Sequence, residues 1–400
     1  MRRIVVFLEV VVRRTVLALG IAAVLVSGGC SSEPTDDDAT PGTLLSTTIP
    51  GASAVLPSAG YTTLVTYTSE NAVGAATMVS GTVSVPSSPP PEGGYPVLSW
   101  AHGTSGYADA CAPSADFPGG PVHDYFSIAT AMLDEWVRAG YAVVQTDYEG
   151  LGTPGGHPYM NGASAANTVV DIVRAAREHD DDIGASWIVA GHSQGGQAAL
   201  FTAEAAAERA PELDLRGAVA IAPGGIGLAR TVEYVQAGGP GAEAAEAFVP
   251  LLVLGAEAAD PTLRADEILT TDAAPLLDAA RTGCLADLRE VPAIAPRDVF
   301  RADTDLAALG TYLDAQDPST TRPAVPTMIV QGSADVLVPQ SDADALAQVL
   351  CGTGDVGYRV YDGADHRSVL DASLADVVAF AESAVQDRAV TGGCAVRPHR

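Results

Sequence analysis

The chain has 400 residues, 47% of them hydrophobic and 18% charged, enough to bury a large core and too apolar for a disordered protein. Asp plus Glu number 49 against 21 for Lys plus Arg. The formal charge of -28 repels nucleic acid and anionic membrane surfaces, excludes a nucleic-acid partner, and favours neutral or cationic ligands. The length suits one large domain with an insertion, or two domains.

Residues 1–29 read as an export signal: Arg2, Arg3, Arg13 and Arg14 precede the uncharged run Thr15 to Gly29, which is short for a membrane-spanning helix. The run ends in small residues before Cys30 and resembles a bacterial lipoprotein signal. That resemblance implies cleavage before Cys30, acylation of its thiol, and an extracytoplasmic protein that is secreted or held at the membrane by an N-terminal lipid anchor. Residues 30–50 are rich in Ser, Thr, Asp and Pro, too polar to pack, and read as a tether.

Residues 51–225 read as the first part of the core. Leu64 to Thr68, Ala75 to Val85 and Val97 to Ala101 read as strands, with Pro86 to Gly94 a hairpin-like loop. A helix over Tyr125 to Ala139 is broken by Gly140 and followed by a buried strand, Tyr141 to Thr146. Ala163 to His179 is a second helix, Ser186 to Ala190 a strand, Gly196 to Ala207 a helix, and Arg216 to Ala222 a strand. Helices alternating with short apolar strands indicate a mostly parallel sheet covered on both faces. Residues 226–320 are Ala/Leu rich and helical without strand signals, and read as an inserted cap, either a moving lid or a fixed subdomain. The second core part, 321–394, resumes with strand Pro326 to Gln331, helix Ser341 to Leu350, strand Gly357 to Tyr361 and helix Val369 to Asp387; residues 395–400, with His399, form a tail.

The chemistry centres on Gly191-His192-Ser193-Gln194-Gly195, which lies between a strand and a helix. A serine on such a turn is held in a strained backbone with its hydroxyl exposed, and the glycines leave room for close backbone approach: this is the nucleophile elbow of an α/β-hydrolase. A serine hydroxyl needs a base with pKa near 7 and a carboxylate to orient that base. In this fold the order is Ser, then the acid after a late strand, then His after the last strand. Asp335 follows Pro326 to Gln331, and His366 follows Gly357 to Tyr361, so the catalytic set is Ser193, Asp335 and His366. Asp147, at the end of an earlier strand, is the fallback acid. Asp365, adjacent to His366, is badly placed to accept from its ring. Oxyanion donors are expected from the amide of Gln194 and from the loop His102-Gly103-Thr104-Ser105-Gly106, with Thr104 the choice and Gly103 the neighbour that supplies it otherwise. No metal-ligand spacing and no cofactor motif is present.

Five cysteines in an exported chain fit two disulfides plus one acylated residue, Cys30; the remaining four allow three pairings.

The stretches Ala110 to Ser114, Thr146 to Gly152, Gly191 to Gly196, Gly332 to Pro339 and His366 together resemble the secretory lipase family, the fungal lipase A type with many actinobacterial members. The resemblance spans about residues 60 to 394. It implies an α/β-hydrolase core with a helical cap, the Ser193, Asp335 and His366 triad, hydrolysis of carboxylic esters, often acylglycerols, and the pairings Cys111 with Cys284 and Cys351 with Cys394. Fungal members carry an aspartate in the oxyanion loop, where this chain has His102-Gly103-Thr104. The expectation is a monomeric serine esterase or lipase, without cofactor, acting on a small-molecule or lipid ester. The alternatives are a hydrolase of another acyl bond (thioester, amide or polyester), or a surface lipoprotein that binds an apolar ligand on this scaffold without catalysis.

Overall fold

The computed structural model describes residues 40–239, 241–302, 304–388 and 397–399. Ten strands are present among them: β1 (Leu44–Thr48), β2 (Ala59–Glu70), β3 (Ala76–Pro86), β4 (Tyr95–Ala101), β5 (Ala142–Thr146), β6 (Ile183–His192), β7 (Asp214–Ile221), β8 (Thr327–Gly332), β9 (Val356–Tyr361) and β10 (Arg397–His399). They form one sheet in the order β1-β2-β3-β5-β4-β6-β7-β8-β9-β10. The β1, β2, β3 and β5 contacts are antiparallel; from β5 onward every pair is parallel. Parallel strands need helical crossovers, and these are supplied by α1 (His123–Arg138), α2 (Gly162–His179) and α3 (Gln194–Arg209), and after the insertion by α10 (Gln340–Cys351) and α11 (Val369–Val385). The central strands carry apolar residues on both faces, so β8 is buried along its whole length. The main core gathers Trp100, Trp136, Trp187, Leu98, Ile172 and Ile188, all nearly inaccessible.

Between β7 and β8 lies the inserted helical region: α4 (Leu228–Gln236), α5 (Val249–Ala259), α6 (Ala265–Ile268), α7 (Ala274–Thr282), α8 (Leu285–Glu290) and α9 (Ala307–Asp314). It has an apolar cluster of its own around α5, into which Tyr159 and Met160 of the β5–α2 connection also pack. This architecture is the α/β-hydrolase fold. A disulfide joins Cys111 to Cys284 across 173 positions, with Cα atoms 5.5 Å apart, as the resemblance implied. Beside it Gly106 bridges to Cys284, and Leu285 N–H donates to the Ser105 carbonyl at 2.7 Å, so the loop after β4 is stapled to the insertion.

Three expectations change. Leu44–Thr48, read as part of the 30–50 tether, is an edge strand paired with β2; its side chains are mostly exposed, so pairing rests on backbone bonds and on Ser46 to Thr66, and hydrophobicity does not reveal it. In the stretch Pro86 to Gly94, Pro86 closes β3 and the rest is a loop but not a hairpin, because β5 inserts between β3 and β4 in the sheet. Arg397–His399, read as tail, pairs parallel with β9 as the last strand, three residues being too few for a pattern to show. The export signal, Cys30, and the partner in the Cys351 with Cys394 pairing lie outside the described residues. Among the described residues no helix is long and apolar enough to cross a membrane.

Candidate active site

Parallel pairing places the carboxyl ends of β4, β6, β7, β8 and β9 along one edge, and the loops after them carry the expected residues. β6 ends at His192 and α3 begins at Gln194, leaving Ser193 alone in the turn, with φ 57° and ψ -114°. A non-glycine residue there is strained, and it is held by Ser193 N–H donating to the Ile221 carbonyl and Gly224 N–H donating to the Ser193 carbonyl, each at 2.9 Å. The flanking glycines are required by space. A Cβ on Gly191 would sit 2.0 Å from the Gly195 oxygen, and one on Gly195 would sit 1.8 Å from the Ala101 oxygen. Among the described residues the Ser193 hydroxyl has no hydrogen-bond partner. It opens with His366 onto two cavities, of about 320 and about 50 Å3.

His366 follows β9 and reaches Asp335, which follows β8: Nδ1 donates to Oδ2 at 2.7 Å, while Nε2 has no partner among the described residues and the residue lines both cavities. The Asp335 carboxylate is fully paired. Its Oδ2 also accepts from Gln331 Nε2 at 3.0 Å, and Oδ1 accepts from the Leu337 and Val338 amides, both at 2.9 Å. Burial alone would raise its pKa, but the His366 bond and charge with these two amides outweigh it and hold the carboxyl below its usual range. It is a fixed anion beneath an imidazole.

Two buried histidines near the serine have structural roles. His192 accepts at Nδ1 from the Tyr125 hydroxyl at 2.9 Å and donates from Nε2 to the His366 carbonyl at 2.7 Å; burial lowers its pKa to about 3, so it stays neutral. His157 donates from Nδ1 to the Glu149 carbonyl and accepts from Gln194 Nε2 at 3.0 Å, with its pKa lowered to about 4 by burial. Thus the Gln194 side chain is anchored away from the serine while its amide, at the first position of α3, has no acceptor among the described residues. Asp147, the fallback acid, accepts from Ser80 and from the hydroxyl and amide of Ser114, and makes no bond to His366. In the loop after β4, the Gly103 amide donates to Tyr125 at 2.8 Å, whereas the Thr104 amide is unengaged among the described residues. Thr104 lines both cavities, and its hydroxyl bonds Tyr159 at 2.8 Å. The large cavity is walled by apolar side chains from the insertion and its neighbours, among them Met160, Ile226, Leu228, Phe248 and Leu252.

Sequence reasoning did not single out Tyr125 or His157. Tyr125 sits on the apolar face of α1 beside Phe126 and Ala129, where an aromatic residue reads as core.

The family described as secretory lipase matches residues 125–379, well over half the chain. The chain belongs to the secretory lipase family. The lipase/esterase class comes with that membership. Among solved structures this secretory lipase is similar to Candida antarctica lipase A in its closed state, at 20% identity and a TM-score of 0.76, over 92% of this chain and 87% of that one. It is also similar to the rice cell wall degrading esterase LipA from Xanthomonas oryzae, at 19% identity and a TM-score of 0.67, over 87% of this chain and 100% of that one. A protein from Legionella pneumophila matches at 22% identity and a TM-score of 0.65, over 82% of this chain and 90% of that one. These likenesses show the fold. No curated protein matches this secretory lipase in sequence.

Proposed function

We propose that this protein is an extracytoplasmic serine carboxylic-ester hydrolase that works through a Ser193-His366-Asp335 triad and an acyl-enzyme. Ser193 Oγ attacks the ester carbonyl while His366 Nε2 takes its proton; the proton then passes to the leaving alcohol, and water, activated by the same imidazole, releases the acid and regenerates the serine. Asp335 fixes the imidazole tautomer and offsets the charge that forms on it. The amides of Gln194 and Thr104 receive the oxyanion, the first reinforced by the α3 dipole. The inserted region, over residues 226–320, acts as the cap that walls the substrate cavity, and Cys30 carries the lipid anchor that holds the enzyme at the membrane.

The observation that carries this reading is the 2.7 Å Asp335 to His366 bond at the edge of the cavity onto which the strained Ser193 opens. The Ser193 to His366 bond is expected to close around the substrate, as catalytic hydrogen bonds do. The test is labelling of the full chain by a fluorophosphonate, with hydrolysis of p-nitrophenyl butyrate in parallel. Wild type is expected to label and turn over and Ser193→Ala to do neither with an unchanged circular dichroism spectrum; hydrolysis retained by folded Ser193→Ala overturns the triad.

A further inference from the structure

The two cavities that Ser193 lines differ in charge. The large one is lined mainly by apolar side chains, with Thr231, Asp342 and the site residues as its polar groups. The small one is lined by Arg289 of α8 and by Arg367, the residue after His366, together with Tyr125, His192 and Thr104. Each guanidinium lies over an aromatic ring, Arg289 5.9 Å from the centre of Phe248 and Arg367 5.8 Å from the centre of Tyr125. Neither guanidinium has a carboxylate or other hydrogen-bond acceptor among the described residues, whereas Arg174, Arg209 and Arg281 are ion-paired and Arg177, Arg301 and Arg322, which lack a carboxylate, donate to backbone carbonyls. The chain has more than twice as many acidic as basic residues, so two arginines lining one cavity without an acid run against the composition. Both residues are exposed, so solvent screens their repulsion, yet partial burial and the Arg367 charge still push the Arg289 guanidinium below its ordinary range, and an anion between the two would offset that charge. A rigid fork of donors above an aromatic ring is how proteins present arginine to carboxylate and phosphate oxygens.

We propose that Arg289 and Arg367 form an anion subsite beside the nucleophile, and that the ester this enzyme takes carries a carboxylate or phosphate on its alcohol side, with its apolar acyl part in the larger cavity. The assignment of sides follows from charge: Asp342 borders the larger cavity and repels an anion there. The small cavity, about 50 Å3, suits a group of a few heavy atoms. The proposal rests on the ester-hydrolase reading and narrows its substrate class, against the overall field of the molecule, which disfavours anions at long range.

The test compares three butyryl esters on the full chain: of glycerol (neutral), of glycolate (carboxylate) and of glycerol phosphate. For the anionic esters, the ratio of kcat/KM to that of the neutral ester is expected to fall about tenfold or more in the Arg289→Gln/Arg367→Gln double variant, and Arg→Lys to retain part of it. The glycolate and phosphate arms decide which anion is taken. In wild type alone, raising salt from about 0.05 to about 0.5 M is expected to lower the same ratio, a readout that needs no variant to fold. A ratio unchanged within about twofold in both measurements, with the neutral ester still turned over, removes the anion subsite and keeps the hydrolase. Failure of folded wild type on all three esters, without fluorophosphonate labelling, removes the hydrolase reading itself.

Discussion

The imidazole of His192 donates from Nε2 to the main-chain carbonyl of His366 at 2.7 Å, so the residue before the nucleophile fixes the backbone that carries the proposed base. The chain of contacts continues through Tyr125 to the amide of Gly103 in the loop after β4. Three loops that converge on the site are thereby locked by one buried phenol and one neutral imidazole. Tyr125→Phe leaves a donor and an acceptor buried without partners. It is expected to lower stability by about 1 to 3 kcal/mol in urea titration, and to reduce kcat by up to about tenfold with little change in KM.

All four groups around Asp335 are donors, so an amide at that position must turn its NH2 toward either the imidazole or the Leu337 and Val338 amides. Asp335→Asn is expected to drop kcat by roughly 10³- to 10⁴-fold by favouring the wrong tautomer of His366. Steady-state kinetics with p-nitrophenyl butyrate check it, and a loss below about tenfold would place the orienting role elsewhere.

Glu149 is buried and bonded to the Ser164 hydroxyl and the Ala72 amide, yet burial wins and raises its pKa from 4.5 to about 7. A carboxyl with a raised folded pKa contributes stability below pH 4.5 that is lost as pH rises through 7. The linked loss is on the order of 3 kcal/mol across that window. Thermal melts from pH 4.5 to 8 are expected to show a fall in Tm that Glu149→Gln flattens.

The Cys111–Cys284 bond closes a segment of 173 positions. In the chain-entropy account such a loop contributes about 5 kcal/mol, so Cys111→Ser/Cys284→Ser is expected to lower the denaturant midpoint clearly. Because the bond also staples the loop carrying Thr104 to the insertion, hydrolysis is expected to weaken at temperatures where the variant is still folded. Activity unaltered at such temperatures would make the bond purely a matter of stability.

Order along the chain and the termini of strands were enough to bring forward Ser193, Asp335 and His366 as candidates, because a doubly wound sheet sends the ends of its parallel strands to one edge. The geometry then puts Asp335 and His366 in direct contact and both beside the serine's cavity. Other features were illegible for physical reasons. Strand β1 pairs through its backbone and exposes its side chains, so composition alone placed it in a tether. The position of β5 between β3 and β4 is a long-range choice that no local pattern encodes. Tyr125, His157 and the two arginines are scattered over four elements, and each alone reads as core or as surface. Asp147 looked available to the base in sequence and is instead saturated by Ser80 and Ser114.

The bridge between Cys111 and Cys284 has a topological corollary. Three strands of the sheet and the first half of the insertion hang between those sulfurs. A protease that nicks any single peptide bond within that span leaves one covalent molecule, whose two pieces separate on a gel only after reduction.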